Sequence, residues 1–252
     1  MQPELYTDMA RLESSHFWFR GRREILHACL RRHLPDGRAG LALDAGCGTG
    51  ANLQLLDRFG EVVGIDVHHA ACRFAAAKYP GRLLQGSLER LPLRDGSCSV
   101  AALLDVLEHV DDQQGVLGEL HRVLSPGGTL VVTVPAFRHL WSGHDVAHQH
   151  RRRYRAGELR LELDRAGFQV GYHSYFNTHL YPLIAAARLL KRRRQEASAS
   201  DMQLPSAWLN AMLYGIFRAE CLWAGRWRAP FGVSLVALAK KPATTGIPSG
   251  ML

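Results

Sequence analysis

The sequence lacks the features that would place the protein in or across a membrane. Its first fifteen residues, MQPELYTDMARLESS, are polar and acidic, with no basic stretch leading into an apolar one, so we expect no signal peptide. The longest apolar run in the last third, residues 180–187, is far shorter than the ~20 residues of a membrane-spanning helix. We therefore predict a cytoplasmic protein without a transmembrane segment.

Cysteine pairs, internal repeats and low-complexity segments are also absent from the sequence. The five cysteines are scattered, odd in number and form no CxxC pair, which is typical of reduced thiols and not of a disulfide framework. The 252 residues and the 47% hydrophobic content suit a single globular domain with a full core.

Positive charge is in excess, and it is concentrated in a few places. The formal net charge of +8 favours an anionic partner, which could be nucleic acid, acidic lipid or a small anion. A solvated basic surface is the competing interpretation. The basic residues cluster at positions 20–23, 151–155 and 191–194.

Short apolar runs alternate with helix-like patterns after a turn signal at residues 35–37. This alternation predicts an α/β fold with a mostly parallel sheet and helices on both faces. The predicted strands are 41–45, 61–65, 82–85, 99–104, 129–134, 168–176 and 232–239. The predicted helical segments are 1–34, 52–59, 68–78, 112–124, 157–166, 180–190 and 208–217, with a linker at 195–206.

The stretch LDAGCGTG ends the first predicted strand in a glycine-rich turn. Such a turn presents unpaired N–H groups and a helix N-terminus to a ligand, and glycines let the ligand approach the backbone. Gly46-x-Gly48-x-x-Ala51 also fits the dinucleotide fingerprint, and Asp66 could hold a ribose in either case. Asp44 favours a cofactor with a cationic amino-acid tail, because an acid repels a pyrophosphate.

Four stretches in order across residues 41–135 resemble the motifs of class I S-adenosylmethionine-dependent methyltransferases. They are LDAGCGTG, VVGID, LPLRDGSCSVAALLDVLEHV and ELHRVLSPGGTLVVTVP. The most similar subgroup is type 11, which acts on small molecules and lipids. The resemblance implies a Rossmann-like fold with a seven-stranded, mostly parallel sheet whose last strand is antiparallel. It also implies S-adenosyl-L-methionine as the cofactor.

We predict a single methyltransferase domain over residues 1–252. Its parts are an N-terminal helical cap (1–36), a cofactor-binding core (40–135), a substrate-side segment (136–177), a helical insertion (178–228) and the final strand (229–240).

The resemblance assigns cofactor contacts position by position. Asp44, Gly46 and Gly48 would line the methionine moiety, Asp66 would take the ribose and Val67 would lie against the adenine. The other cofactor contacts predicted are Trp18, Arg20, Cys47, Ser87, Leu88 and Asp105.

Several of these contacts have a competing interpretation. Ser87 stands where the family usually has an acid for the adenine amino group, so a charge-assisted contact is lost there. Asp105 would sit beside the transferred methyl group, or it caps the following turn. In the stretch HFWFRGRR, Trp18 would close the pocket and Arg20 or Arg23 would meet the cofactor carboxylate. The alternative is an ordinary core helix with a basic face.

Catalytic candidates are mainly histidines, because a base is needed when the methyl acceptor carries a proton. His109 follows the fourth predicted strand, where the family often has a histidine; a loop residue that shapes the pocket is the alternative. His144, His148 and Tyr154 are further catalytic candidates. The predicted substrate contacts are Trp141 and Arg152. The histidine spacing matches no defined metal site, so we expect no metal.

The acceptor is expected to be a small or lipid-like molecule methylated at oxygen or carbon. Residues 178–228 could lie on the inner face of a membrane, cover the site or form a dimer interface, so the chain is a monomer or a homodimer. A nucleic-acid methyltransferase is disfavoured, because DVLE replaces the (D/N)PP(Y/F) motif. An NAD-dependent oxidoreductase is disfavoured, because the Tyr-x-x-x-Lys pair is missing. Cofactor binding without catalysis remains a further alternative.

Overall fold

In the computed structural model, which describes residues 3–34, 40–193 and 204–243, seven strands form one sheet. The strands are β1 Leu41–Ala45, β2 Glu61–Asp66, β3 Arg82–Gln85, β4 Cys98–Leu104, β5 Leu124–Pro135, β6 Gln169–Phe176 and β7 Ser234–Lys240. Their order is β3-β2-β1-β4-β5-β7-β6. Strands β1 to β5 pair in parallel, whereas β7 runs antiparallel to both β5 and β6. The predicted fold class is confirmed, including the antiparallel last strand.

Nine α-helices lie in the described residues. They are α1 Pro3–Leu12, α2 Phe17–His33, α3 Leu53–Leu56, α4 His69–Lys78, α5 Gln113–Val123, α6 Gly143–Ala147, α7 Ala156–Arg165, α8 Tyr181–Arg193 and α9 Ala207–Arg218. None of these described helices is long and apolar enough to cross a membrane.

Alternate side chains along the strands build two cores, one on each face of the sheet, as the period of two in a β-strand requires. In β1, Leu43 joins one cluster and Ala42 joins the other. Helices α5 and α7 cover the first cluster, and α2, α3, α4 and α9 cover the second. The buried, mainly apolar strands explain why the sequence showed runs and not strict alternation.

Some element boundaries differ from the prediction. The helix expected over 52–59 is reduced to the single turn α3, because the chain bends at Asp57 before it enters β2. Strand β5 begins at Leu124 and not at residue 129, since Leu124 pairs with Cys98 ahead of a register shift. The predicted turn at 35–37 and most of the linker at 195–206 lie outside the described residues.

The helical insertion packs on the N-terminal cap. Asn210 of α9 accepts a hydrogen bond from the Phe17 backbone N–H and donates one to the Ser15 carbonyl, each at 2.9 Å. Gly21 of α2 faces Phe217, where a Cβ would lie 2.5 Å from the ring. These contacts hold α2 against α9 and place the start of α2 over the carboxyl ends of the central strands.

Candidate functional site

A cavity of about 790 Å³ opens at the carboxyl ends of β1, β2 and β4. Gly46 follows β1 there, Asp66 ends β2 and Asp105 follows β4. Residues of α1, α2, the 144–151 segment and α8 complete its wall. In open α/β sheets, ligands bind in the crevice at these strand ends, so the topology itself marks this cavity as the candidate site.

The glycine turn offers a ligand open space, but few free hydrogen-bond donors. The N–H groups of Gly46 and Cys47 both donate to the Ile65 carbonyl, at 2.7 and 3.0 Å, and the Gly48 N–H donates to the Asp66 carboxylate at 2.9 Å. The expectation of unpaired N–H groups is therefore wrong for these three residues, because β2 lies close enough to take them.

Gly46 and Gly48 have different roles in this turn. Both have positive φ values, 76° and 52°, which favour glycine. A Cβ on Gly46 would lie 2.6 Å from Val106, so close packing excludes a side chain there. A Cβ on Gly48 would meet no described atom within 4 Å. Gly48 therefore leaves bare backbone facing the cavity.

Two acids flank the glycine turn in different environments. Asp66 accepts backbone hydrogen bonds on both oxygens, from Gly48 and from His68, each at 2.9 Å. Asp44 is buried two residues before the cavity-lining Gly46 and is not itself among the lining residues; its Oδ2 has no hydrogen-bond partner among the described residues. Burial raises the pKa of Asp44 to about 7, although the positive charge of Arg22 opposes the shift. An uncompensated buried carboxylate of this kind is costly unless a ligand neutralises it.

Arg22 is a cavity residue that the sequence analysis missed. It is buried, and its guanidinium lies 2.6 Å from the Asp105 carboxylate and donates to the Thr133 hydroxyl at 2.9 Å. The predicted Arg20 instead lies 3.9 Å from the centre of the Tyr214 ring, and Arg23 donates to the Glu13 carbonyl at 2.7 Å.

The helical period of α2 could have identified Arg22. It lies four residues after Trp18 and three before the buried Ile25, so these three side chains share one face of the helix.

Most of the site residues predicted from the sequence lie together in the cavity wall. They are Trp18, Gly46, Cys47, Gly48, Asp66, Val67, Ser87, Leu88, Asp105, His109, His144 and His148. Burial raises the pKa of the Cys47 thiol, which suits the interpretation of Cys47 as a small turn residue.

Five predicted site residues are not among the described residues that line the cavity: Arg20, Asp44, Trp141, Arg152 and Tyr154. Tyr154 is buried, where its hydroxyl contacts the Gln113 side chain and donates to the Leu107 carbonyl at 3.3 Å. Arg152 donates to the Gln113 amide oxygen at 3.0 Å. Trp141 is 37% exposed and is not among the described residues that line the cavity. Tyr154 and Arg152 therefore hold the segment after β4 in place from outside the cavity, and they do not line the candidate ligand site.

The basic run at 151–155 is largely used within the fold. Arg151 forms an ion pair with Asp111. Arg153 is buried and donates two hydrogen bonds to Asp145, at 2.7 and 3.0 Å. Together with the contact of Arg152, these pairs explain much of the charge concentration without an anionic partner.

The cavity histidines are weak bases in this environment. Burial, together with the charge of His150, lowers the pKa of His109 and of His148 to about 4. Burial also lowers the pKa of His144. These three rings are therefore neutral at pH 7, and efficient general-base catalysis is easier with a pKa near the working pH.

Buried polar atoms without a hydrogen-bond partner in the described structure concentrate around the cavity. Native proteins leave few such atoms unpaired, so a cluster of them indicates a ligand site. Glu108 and Asn177, neither of which the sequence analysis named as a site residue, each have two such atoms. The cavity-lining residues of this set are Arg22, Asn52, Glu108, His144, His148 and Asn177.

Backbone strain lies at the same place. Asp105, Gln149 and Asn177 have φ values of 56°, 56° and 57°, in the left-handed region that non-glycine residues rarely adopt. All three line the cavity. Such residues cluster at ligand sites, where the surrounding structure enforces the conformation.

Part of the chain is similar in sequence to a known domain family and to known proteins. Residues 43–132 match the methyltransferase domain family Methyltransf_11. The chain is 36% identical over 163 residues to a Mycolicibacterium smegmatis protein named "Probable S-adenosylmethionine-dependent methyltransferase", covering 63% of this chain and 62% of that protein. It is 32% identical over 161 residues to a Mycobacterium tuberculosis protein with the same description, covering 62% and 57%. The match thus spans about three fifths of these relatives.

Solved structures show the same architecture. An S-adenosylmethionine-dependent methyltransferase from Mesorhizobium loti superposes with a TM-score of 0.55 at 19% identity, covering 84% of this chain and 95% of that one. At this level of identity the likeness shows a shared fold.

Proposed function

We propose that this protein is a class I S-adenosylmethionine-dependent methyltransferase of the type 11 kind and that it transfers a methyl group to a small or lipid-like acceptor at oxygen or carbon. The match of residues 43–132 to the methyltransferase domain family and the similarity to the mycobacterial relatives support the first part. The observation that supports this most is the bare Gly48 backbone at one wall of the cavity, with Asp66 in the same wall and the buried Asp44 four residues earlier in the chain.

The residues present fit S-adenosylmethionine. The unpartnered Oδ2 of Asp44 suits the ammonium group of the amino-acid tail, because a cation offsets the cost of the buried carboxylate. Each Asp66 oxygen accepts one backbone hydrogen bond and has a second lone pair that can take a ribose hydroxyl. Gly48 leaves room for the ligand beside the backbone.

The cofactor supplies a methyl group that is already activated for transfer. The protein's task is then to align the acceptor and to exclude water. The Arg22–Asp105 pair fixes the polar edge of the cavity at the end of β4. Trp18 and the segment 144–151 enclose the space, while the unpartnered side chain of Asn177 can hydrogen-bond an acceptor oxygen or nitrogen.

The dimensions of the cavity favour a compact acceptor. A volume of about 790 Å³ lies in the usual range for small-ligand pockets, roughly 300–1,000 Å³, and the cofactor must share it. The internal ion pairs of Arg151 and Arg153 also weaken the argument for a nucleic-acid acceptor that rested on net charge.

Labelled S-adenosylmethionine should mark the acceptor directly. The purified protein is incubated with cell extract and methyl-labelled cofactor, and the products are separated and identified by mass. We expect label in a small or lipid-soluble product, and less of it with the Asp66→Ala variant at a limiting cofactor concentration. Label found only in nucleic acid or protein would contradict the proposed acceptor class.

Apolar side chains on the insertion support a second part of the proposal, contact with an anionic membrane surface. Trp208, Met212 and Ile216 are exposed at four-residue spacing on α9, and Leu183 and Leu190 are exposed on α8. An exposed apolar stripe of this kind on a basic protein is typical of helices that lie at the lipid interface.

Liposome flotation tests this contact. The protein should float with anionic vesicles at low salt, and a Trp208→Ser/Met212→Ser variant should float less. An exposed polar change on another helix, Arg160→Gln, serves as the control. Absence of binding to anionic vesicles at low salt would contradict the membrane proposal and leave the methyl-transfer proposal standing.

A further inference from the structure

Three side chains at the edge of the cavity converge on one point. We propose that Glu108, His109 and His150 bind a divalent transition-metal cation of the zinc class. One potential ligand atom from each residue lies within 4.8 Å of the other two. All three residues line the cavity. The convergence depends on the fold, because the Arg151 backbone N–H donates to the Glu108 carbonyl at 2.9 Å and thereby brings the two segments together.

Glu108 supplies the observation that points to a cation. Its side chain is fully buried, and neither carboxylate oxygen has a hydrogen-bond partner among the described residues. A buried carboxylate without partners is expensive, and proteins normally pair it or let it coordinate a metal. Its Oε1 lies 3.9 Å from the Nε2 of His150, too far for a hydrogen bond.

His150 is oriented as metal-binding histidines usually are. Its Nδ1 is 2.9 Å from the Asp145 carboxylate, which leaves Nε2 facing Glu108. Asp145 is in turn fixed by the two hydrogen bonds from Arg153 and by one from the Ser142 backbone at 2.8 Å. Such carboxylate–histidine pairs set the ring orientation and the tautomer of a metal ligand.

His109 is positioned by packing. Its ring lies edge-on against the His150 ring, with ring centroids 4.8 Å apart. Both imidazoles are therefore positioned by the protein itself.

The ligand set selects the class of metal. Two imidazoles and one carboxylate are typical of zinc and related divalent ions, whereas Mg²⁺ and Ca²⁺ prefer oxygen ligands alone. Ligand atoms on a tetrahedral zinc ion lie about 3.3 Å apart. The three ligand atoms lie within 4.8 Å of one another, so the side chains must approach by up to roughly 1.5 Å to bind the ion. Three protein ligands leave a coordination position open toward the cavity, as in catalytic zinc sites.

The role of the cation, but not its binding, rests on the proposed methyl transfer. An oxygen of the acceptor would complete the coordination, and the cation would favour loss of the hydroxyl proton to solvent water. The oxygen would then bond to the methyl group as the carbon–sulfur bond breaks, with S-adenosylhomocysteine as the leaving group. The site would thus select hydroxyl-bearing acceptors. This arrangement would also explain how an acceptor loses its proton in a cavity whose histidines are weak bases.

Metal binding can be measured without any acceptor. Untagged protein is stripped with a chelator and titrated with Zn²⁺ by calorimetry, and the Co²⁺ form is examined for the visible absorption of a four-coordinate site. We expect one Zn²⁺ per chain with a Kd of about 1 µM or tighter. The isosteric Glu108→Gln and the His150→Gln variants should lose at least about a hundredfold in Zn²⁺ affinity.

Matched variants separate this site from the other histidines. His144→Gln and His148→Gln, changed in the same cavity, should keep the Zn²⁺ affinity. S-adenosylhomocysteine binding to each variant shows that it is folded and that the cofactor site is intact. No stoichiometric Zn²⁺ binding by the wild-type chain, or a loss with His148→Gln but not with Glu108→Gln, would overturn the proposal. Neither result would affect the proposed methyl transfer, which cofactor binding tests separately.

Discussion

Replacing Asp44 by asparagine should stabilise the ligand-free protein above pH 7 and weaken its affinity for S-adenosylhomocysteine. The reason is that the Asp44 carboxylate is fully buried two residues before the cavity-lining Gly46, and its Oδ2 has no hydrogen-bond partner among the described residues. Burial raises its pKa from 3.8 to about 7. The charged group is thus unfavourable for folding, and we attribute its presence to the cationic tail of the cofactor.

The sign and the size of the expected change in stability follow from this pKa. Because the folded-state pKa lies above the ordinary value, the folded protein holds this proton more tightly than the unfolded chain. The stabilisation of the fold by the protonated carboxyl is present in full below about pH 4 and is lost as the pH rises to about 7. The difference between 3.8 and about 7 corresponds to about 4 kcal/mol, at about 1.4 kcal/mol per pH unit. The buried asparagine amide, which lacks a full set of hydrogen-bond partners, offsets part of this free energy. We therefore expect Asp44→Asn to raise the free energy of unfolding by ~2 kcal/mol at pH 8.

Thermal unfolding at two pH values measures the effect. A gain of ~2 kcal/mol corresponds to a rise in Tm of roughly 4–8 °C for a chain of this size. It should appear at pH 8 and vanish near pH 5, where the wild-type carboxyl is protonated. In wild type, affinity for S-adenosylhomocysteine should fall about tenfold from pH 8 to pH 6, because only the ionised carboxylate pairs with the ammonium group.

A matched substitution isolates the buried charge. Asp164→Asn changes an exposed acid on α7 and should alter neither the Tm nor the affinity. The reasoning would be refuted if Asp44→Asn kept the wild-type dependence of Tm on pH and bound S-adenosylhomocysteine equally well.

Three further substitutions test other parts of the account. Asp66→Ala should weaken S-adenosylhomocysteine binding by about 1–3 kcal/mol in calorimetry; unchanged affinity would remove Asp66 from the site. Asp145→Asn should destabilise the fold by about 3–5 kcal/mol in denaturant unfolding, because the buried Arg153 loses its charged partner, and equal stability would contradict that pairing. Gly48→Ala should cost about 1 kcal/mol of stability through its φ of 52° and lower the cofactor affinity through its methyl group. Gly118→Ala, in the open middle of α5, should instead stabilise the protein by up to about 1 kcal/mol, so similar behaviour of the two alanines would refute the role of Gly48.

The fold was predictable where local signals and the global topology agree. Strand β1 and strand β3 have the predicted bounds, because turn residues border both runs. The start of β5 at Leu124 was not predictable, since it depends on pairing with Cys98 and not on local preference. Likewise, α3 is shortened because the chain must reverse into β2 within a few residues.

The candidate site was predictable where residues follow a strand end. Gly48, Asp66 and Asp105 lie in the cavity wall because the ends of parallel strands meet at one edge of the sheet. The side on which Arg152 and Tyr154 point could not be inferred from a polar stretch without periodicity.

The convergence of Glu108 with His150 depends on a long-range contact. The two residues are far apart in the chain and meet through the backbone bond between Arg151 and Glu108. No local pattern in the sequence encodes such a contact, so the cluster emerges only in three dimensions.

Calorimetric titration with S-adenosylhomocysteine and, separately, with NAD tests the central claim most directly. The glycine turn suits either ligand by its spacing, while Asp44 in front of it favours the cationic tail of S-adenosylmethionine. We predict that one S-adenosylhomocysteine binds per chain, that Asp66→Ala weakens this binding and that NAD does not bind. Binding of NAD without binding of S-adenosylhomocysteine would contradict the account.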